Sequence, residues 1–168
     1  METRNKTKSV YLLLGIYCVV LVWIILFKLS FSLEELQAMI GTSEINLIPF
    51  YYEDDVDFHM KEVLNNLLIF IPFGLYLSML HIDGKKTVFF GFLFSFVLEM
   101  AQYIFNLGSY DITDLLMNTA GTAVGISIHF LFTKLFRSTE KANKLLTILA
   151  SVATVLCVTL LLLLVFLN

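Results

Sequence analysis

The stretch DITDLLMNTAGTAVGISIHFLFTKLF, Asp111 to Phe136, is long and apolar enough to cross a lipid bilayer, yet its first third carries two aspartates and an asparagine. A helix needs about 20 mainly apolar residues to cross about 30 Å of hydrocarbon. Besides the span within this stretch, Ile112 to Phe136, the chain has four apolar runs of similar length: Val10 to Leu29, Val63 to Ile82, Thr87 to Phe105 and Leu145 to Leu167. The sequence therefore predicts an all-α membrane protein, a bundle of five transmembrane helices.

The overall composition agrees with a multi-pass membrane protein. Of the 168 residues, 58% are hydrophobic and 15% are charged, whereas soluble domains average about half apolar and a quarter charged. The net charge is −3, and there is no basic tract beyond a short N-terminal tail, which argues against binding to nucleic acid. Because no linker or internal repeat divides the chain, we expect a single domain over residues 1–168.

The distribution of Lys and Arg predicts the orientation of the bundle, because positively charged loops are retained in the cytoplasm. Five spans place most of these residues on one side: Arg4, Lys6, Lys8, Lys85, Lys86, Lys134, Arg137, Lys141 and Lys144. Only Lys28 and Lys61 fall on the other side. We therefore expect the N-terminus inside and Asn168 outside, with the acidic segment Glu34 to Glu62 and the turn at 106–110 also outside.

The outer segment at residues 30–62 is predicted to lie along the membrane surface. Leu33, Leu36 and Ile40 share one face of a short amphipathic helix that would rest on the bilayer. Pro49 disfavours a helical conformation at Ile48, so the sequence NLIPF at 46–50 is expected to be non-helical and to dip into the interface.

Apart from the histidines, the strongly polar residues of the spans fall in the outer half of the second, third and fourth helices. Asn65 and Asn66 enter the second span from outside. Glu99 and Gln102 share a face of the third, and Asp111, Asp114 and Asn118 share a face of the fourth. Counting residues from the turn places Glu99 level with Asn118. These residues predict an outward-facing polar pocket, whose binding candidates are Asn66, Glu99, Gln102, Asp111, Asp114 and Asn118. Asn46 joins these candidates through the motif resemblance given below.

Charged groups within hydrocarbon cost from about 2.5 to more than 10 kcal/mol, so they are functional candidates by default. Glu99 and Asp114 are the candidates for general acid and base, because two acids in different environments can have separated pKa values. Helix capping is an alternative role for Asp111 and Asp114. A structural hydrogen-bond network is the alternative for Glu99, Gln102 and Asn118.

The remaining conspicuous residues indicate backbone geometry. Gly121 and Gly125 form a small-xxx-small stripe that lets another helix approach closely. Pro72 interrupts the hydrogen bonding of the second span, and Gly74 adds room beside it, which fits either a kink or close packing.

No metal site or cofactor is predicted from the spacing of His and Cys, which matches no known ligand pattern. A divalent cation held by Glu99, Asp111 and Asp114 is a weaker alternative. No serine nucleophile elbow or phosphate-binding glycine loop is present either.

Four short motifs occur in order over residues 46–125: NLIPF at 46–50, N-x-x-x-F-x-P-F-G at 66–74, S-x-x-x-E-x-x-Q at 95–102 and Y-D-I-x-D-x-x-x-N-T-x-G at 110–121. In this order they resemble the VanZ-like family, which is associated with resistance to the glycopeptide teicoplanin. The additional span at 145–167 carries no part of this pattern. Gly108 and Thr113 stand where many members have a basic residue and a second acid.

The resemblance implies a multi-pass protein of the bacterial cell membrane, and it marks as family positions Asn46, Pro49, Asn66, Pro72, Gly74, Glu99, Gln102, Asp111, Asp114, Asn118 and Gly121. Our main hypothesis is that the polar pocket binds or modifies a cell-envelope component. The expected partners are membrane lipids and a lipid-linked cell-wall precursor or surface polymer, and an oligomer is compatible with the sequence. The alternatives are an enzyme acting on a lipid-linked substrate by carboxylate acid/base catalysis and a small transporter or flippase component.

Overall fold

The structure is a computed structural model that describes residues 2–27, 45–51 and 56–167. Its elements are α1 (Glu2–Phe27), β1 (Ile45–Asn46), α2 (Val56–Met79), α3 (Gly84–Ile104), β2 (Tyr110–Asp111), α4 (Ile112–Phe136) and α5 (Thr139–Leu167). All five helices are long and apolar enough to cross a membrane. The predicted five-helix architecture is therefore confirmed, while the amphipathic helix expected at residues 33–40 lies outside the described residues.

The backbones of α2 and α4 are in direct contact, and three glycines make this possible. A Cβ atom at Gly121 would overlap the carbonyl of Leu67, and one at Gly125 would overlap the carbonyl of Ile71. From the other side, a Cβ at Gly74 would overlap the carbonyl of Thr122. The packing role predicted for the Gly121–Gly125 stripe is thus confirmed, with α2 as its partner.

A glycine also lets α3 pack closely on α4, but here the contact is with a side chain instead of the backbone. A Cβ at Gly91 would collide with the side chain of Thr122, which is fully buried between the two helices. Because α2 and α3 both approach α4 closely, α4 forms the centre of the bundle.

Tight caps reverse the chain between consecutive helices. At the end of α3, Asn106 adopts a left-handed conformation with φ 55°, and the Leu107 N–H donates to the Gln102 carbonyl at 2.9 Å. Asn tolerates this conformation better than most residues, and the resulting bond satisfies a carbonyl that the helix end would leave free. Asp83 begins α3 by accepting the Lys85 N–H at 3.0 Å. These short connections make α3 antiparallel to the helices before and after it in the chain, α2 and α4.

Pro72 lies within α2, and the helix continues through it. Proline has no N–H to donate to the carbonyl four residues earlier, so α2 is weaker there. The carbonyl that loses this donor is that of Leu68. The Tyr17 hydroxyl of α1 donates to the next carbonyl along the helix, that of Ile69. A side chain from another helix therefore contributes to the polar bonding of α2 at this point.

A parallel sheet of two strands, each two residues long, lies at one end of the bundle. We call this end of the bundle the sheet end. Ile45 pairs with Tyr110 and Asn46 with Asp111. Residues 47–51 follow β1 without helical structure, as Pro49 predicts. The pairing places the NLIPF segment at the N-terminus of α4.

We expect Gly121→Val to lower the stability of the bundle by about 1–3 kcal/mol or more, because its side chain would force α2 and α4 apart. Gly15→Val is the matched control, since it makes the same substitution at a helix position where a Cβ meets nothing within 4 Å. Thermal unfolding of both purified variants in detergent measures the difference. Equal unfolding temperatures would show that the glycine contact is dispensable.

Candidate functional site

Asp111 joins β2 to the first turn of α4 and is the N-cap of that helix. One carboxylate oxygen accepts the Thr113 N–H at 2.7 Å, which satisfies one of the free donors at the helix start. The capping role considered for Asp111 is therefore confirmed. The second oxygen accepts the Asn46 side-chain N–H at 3.1 Å, so the same carboxylate also binds the NLIPF segment.

Asn46 holds the NLIPF segment in a closed turn. Its side chain donates to the Tyr51 carbonyl at 3.2 Å and accepts the Ile48 N–H at 3.1 Å. The Phe50 N–H donates to the Thr113 hydroxyl at 3.0 Å, and Phe50 has a left-handed φ of 59°. The segment is thus fixed to the start of α4 through Asp111 and Thr113.

Glu99 on α3 lies beneath this junction and is 1% exposed. One of its carboxylate oxygens accepts the backbone N–H of Asp111 at 3.2 Å. Asp114 lies close enough to Glu99 for their charges to interact, as does Asp111. We name Glu99, Asp111 and Asp114 the acid cluster.

The depth predicted for Asn118 is wrong by about one helical turn. Its side-chain N–H donates to Ser95 at 2.9 Å, and Ser95 lies four residues, about 6 Å, deeper than Glu99 on α3. The reason is that the chain after α3 folds back along the bundle before α4 begins. Glu99 is consequently level with the start of α4 at Asp111, and Asn118 lies one layer further in.

The other predicted pocket residues on α2 and α3 are Asn66 and Gln102. The Gln102 side chain donates to the Ile25 carbonyl at 3.0 Å and so joins α3 to α1. Asn66 is half-buried on α2. Gln102 therefore fits the structural alternative, in which polar side chains connect helices.

The acid cluster is an enclosed site. Glu99 and Asn118 are each 1% exposed and Thr113 is 0% exposed, while Asp111 and Asp114 are half-buried. The side-chain oxygen of Asn118, Oδ1, is buried and has no hydrogen-bond partner. Any approach to Glu99 from solvent therefore begins at the side of Asp111 and Asp114.

Within α3 and α4, as far as the structure describes them, the acid cluster is made of acceptor groups without a cationic side chain beside them. The sequence contains no Lys or Arg between Lys86 and Lys134, so the two helices that carry the acid cluster bring no positive charge to it. At the edge of the cluster, burial raises the pKa of the Tyr110 phenol, and the charge of Glu99 acts in the same direction. Such a site favours protons, cationic groups or ligands rich in N–H and O–H donors.

A metal ion is not supported as the occupant. Among the residues that the structure describes, no three His, Cys, Asp or Glu side chains are grouped to hold one. The weaker alternative, a divalent cation on Glu99, Asp111 and Asp114, therefore has no geometric support.

Sequence reasoning missed Thr113 as a member of the site. This residue is buried and binds Phe50 through its hydroxyl, a contact across 63 positions of sequence. Its place inside the Y-D-I-x-D motif is the signal that could have indicated it. Ser95 and Asn118 both lie in recognised motifs, but the hydrogen bond between them was not predicted.

We expect Asp111→Ala to destabilise the protein by about 1 kcal/mol, because α4 loses its N-cap. Asp111→Asn is the matched control, since asparagine caps helices about as well as aspartate. Unfolding temperatures of the two variants measure the effect. An unfolding temperature of Asp111→Ala equal to wild type would contradict the structural role.

Comparisons with known proteins identify the family of this chain. The chain is 37% identical over 130 residues to Protein VanZ from Enterococcus faecium, covering 73% of this chain and 74% of that protein. No solved structure matches. The VanZ/LLP1 family model matches residues 14–137, a range that contains the acid cluster and all four motifs. This multi-pass membrane protein belongs to the VanZ/LLP1 family.

Proposed function

We propose that this protein contributes to resistance against glycopeptides such as teicoplanin by binding or modifying a component of the bacterial cell envelope at the acid cluster. Membership of the VanZ/LLP1 family supports the link to resistance. The observation that carries the proposal is Glu99, a carboxyl group buried inside an apolar bundle.

A purely structural role does not require an acid at position 99. Glu99 accepts the Asp111 N–H, and the side-chain carbonyl of a glutamine could accept the same bond. Glutamine would also avoid the cost of burying a charge next to Asp114. An acid at this position therefore fits a function that uses its proton or its charge.

The acceptor groups of the acid cluster indicate the chemistry of the ligand. Carboxylates and the unpaired Asn118 oxygen favour a group that donates hydrogen bonds, such as the ammonium or hydroxyl groups of a lipid-linked precursor or surface polymer. The half-buried Asp111 and Asp114 provide the approach to Glu99.

The proposal also requires the sheet end to face outward. Lys134, Arg137, Lys141 and Lys144 lie around the α4–α5 connection, at the opposite end of α4 from the sheet. Because positive residues are retained in the cytoplasm, this distribution favours an acid cluster on the outer side of the membrane.

Glu99→Gln is expected to abolish protection against teicoplanin in a glycopeptide-sensitive host, returning susceptibility to that of the host without the protein. Membrane levels should be unchanged, because glutamine retains the acceptor for Asp111. Growth inhibition and quantitative membrane blots measure both properties.

Glu140→Gln is the control, since it removes one acid at the opposite end of the bundle and should retain protection. Full protection by the Glu99→Gln variant, at normal membrane level, would overturn the proposal.

A second candidate function is enzymatic, and it is favoured by the proximity of Glu99 and Asp114 in different environments. Glu99 is 1% exposed, whereas Asp114 is half-buried at the edge of the cluster. Two acids in such surroundings can divide the roles of proton donor and acceptor.

If this candidate is correct, the purified protein should convert a lipid-linked cell-wall precursor, and Asp114→Asn should reduce turnover by about 100-fold or more. Mass spectrometry of the extracted lipid measures the product. Retained binding without any turnover by the wild type would leave the cluster as a binding site alone.

A further inference from the structure

A second candidate site lies in the half of the bundle away from the sheet end. A cavity of about 430 Å³ opens between α1, α2, α4 and α5. Its walls include Val20, Leu75, Ile128, Phe132, Leu146 and Val158. The cavity contains none of the acid cluster, so it is separate from the site described above.

The walls of this cavity offer almost no polar surface. Its Tyr17 hydroxyl donates to the carbonyl of Ile69, and its Tyr76 and Thr154 side chains hydrogen-bond to each other. The polar groups of the lining are thus already paired. Apolar cavities without free polar partners stay dry, so water is a poor occupant.

The cavity is open along α5 to the surroundings of the bundle. Leu149 lines it and is 52% exposed, and Ala153 on the next turn is exposed as well. Because α5 is a membrane-spanning helix by length and composition, this opening faces hydrocarbon rather than water.

The dimensions of the cavity select among apolar occupants. Its lining on α5 runs from Leu146 to Val158, about 18 Å at 1.5 Å per residue. Dividing 430 Å³ by this length gives a cross-section of about 24 Å². A single hydrocarbon chain, with carbon contacts near 4 Å, has a cross-section on the order of 20 Å². A helix about 10 Å wide needs about 80 Å² and does not fit.

The charges at the same end favour a particular lipid. Lys134 and Lys144 lie at the end of α4 and α5 where the cavity residues Phe132 and Leu146 are found, each about 3 Å further along its helix axis and on a different face of the helix. Arg137 and Lys141 lie in the connection and the first turn between them. Clustered basic residues at a membrane surface attract anionic headgroups.

We propose that this cavity binds one acyl chain of an anionic phospholipid, drawn from the leaflet at the α4–α5 end, with its phosphate among the basic residues of the α4–α5 connection. The bound chain fills the space between α5 and the rest of the bundle. This site is independent of the acid cluster and of the function proposed for it.

The test uses the full chain in vesicles of phosphatidylglycerol that carries a photoactivatable diazirine in its acyl chain. After irradiation, mass spectrometry locates the labelled residues. Labelling should concentrate several-fold on cavity residues Ala150, Ala153 and Cys157 compared with Val152 and Val155, which lie at the same depth of α5 and are 55% and 64% exposed. Even labelling around α5 would overturn the proposal, because it indicates ordinary surrounding lipid.

Filling the cavity provides a second measurement. Ala153→Phe should reduce the labelling of Ala150 and Cys157 several-fold, whereas Val155→Phe, a matched change outside the cavity, should not. Labelling that is unaffected by Ala153→Phe would contradict the site. Oxidation that joins two copies by a disulfide at Cys157 would overturn it too, since that bond places a second copy at the cavity.

The headgroup assignment has its own control. Replacing phosphatidylglycerol by phosphatidylcholine with the same diazirine chain should weaken cavity labelling in the wild type, and Lys144→Gln should weaken it in phosphatidylglycerol. Equal labelling in both lipids would overturn the assignment of an anionic headgroup.

Discussion

The direct backbone contact between α2 and α4 is the constraint on which the rest of this structure depends. In a bilayer, surrounding lipid is as apolar as the helices, so association relies on close packing rather than on the hydrophobic effect. Gly74, Gly121 and Gly125 allow that packing because a side chain at any of them would meet a carbonyl of the other helix or its immediate backbone. Once α4 is fixed against α2, its polar face has a defined depth and direction toward α3.

The polar site is built at the point where an irregular segment meets a helix start. Free N–H groups at the beginning of α4 need acceptors, and Asp111 and Thr113 connect them with the NLIPF segment. Glu99 then binds the backbone of Asp111 from α3. Both carboxylate oxygens of Asp111 thus accept structural hydrogen bonds. Glu99 differs, because the one backbone N–H that it accepts could equally be accepted by a glutamine.

The bundle divides its chemistry between its two ends. Buried acceptors collect at the sheet end, while the other half contains a dry cavity bordered by basic residues. The polar site and the apolar cavity therefore lie in different layers of the bundle, and α4 contributes to both. A ligand with a polar head and a hydrocarbon chain could meet either layer, but the two sites lie too far apart along the helices to be one pocket.

The number of spanning helices and their approximate ends could be predicted from the apolar runs, because the thickness of a bilayer sets the length of a spanning helix. The sequence also indicated the packing role of Gly121 and Gly125, since small residues at helical spacing have few other uses in a membrane helix. Only the tertiary structure decided that Asn46 pairs with Asp111, that Asn118 lies level with Ser95 and that Tyr17 reaches the carbonyl of Ile69. These contacts depend on how far one segment folds back along another, and local residue preferences carry no information about that distance.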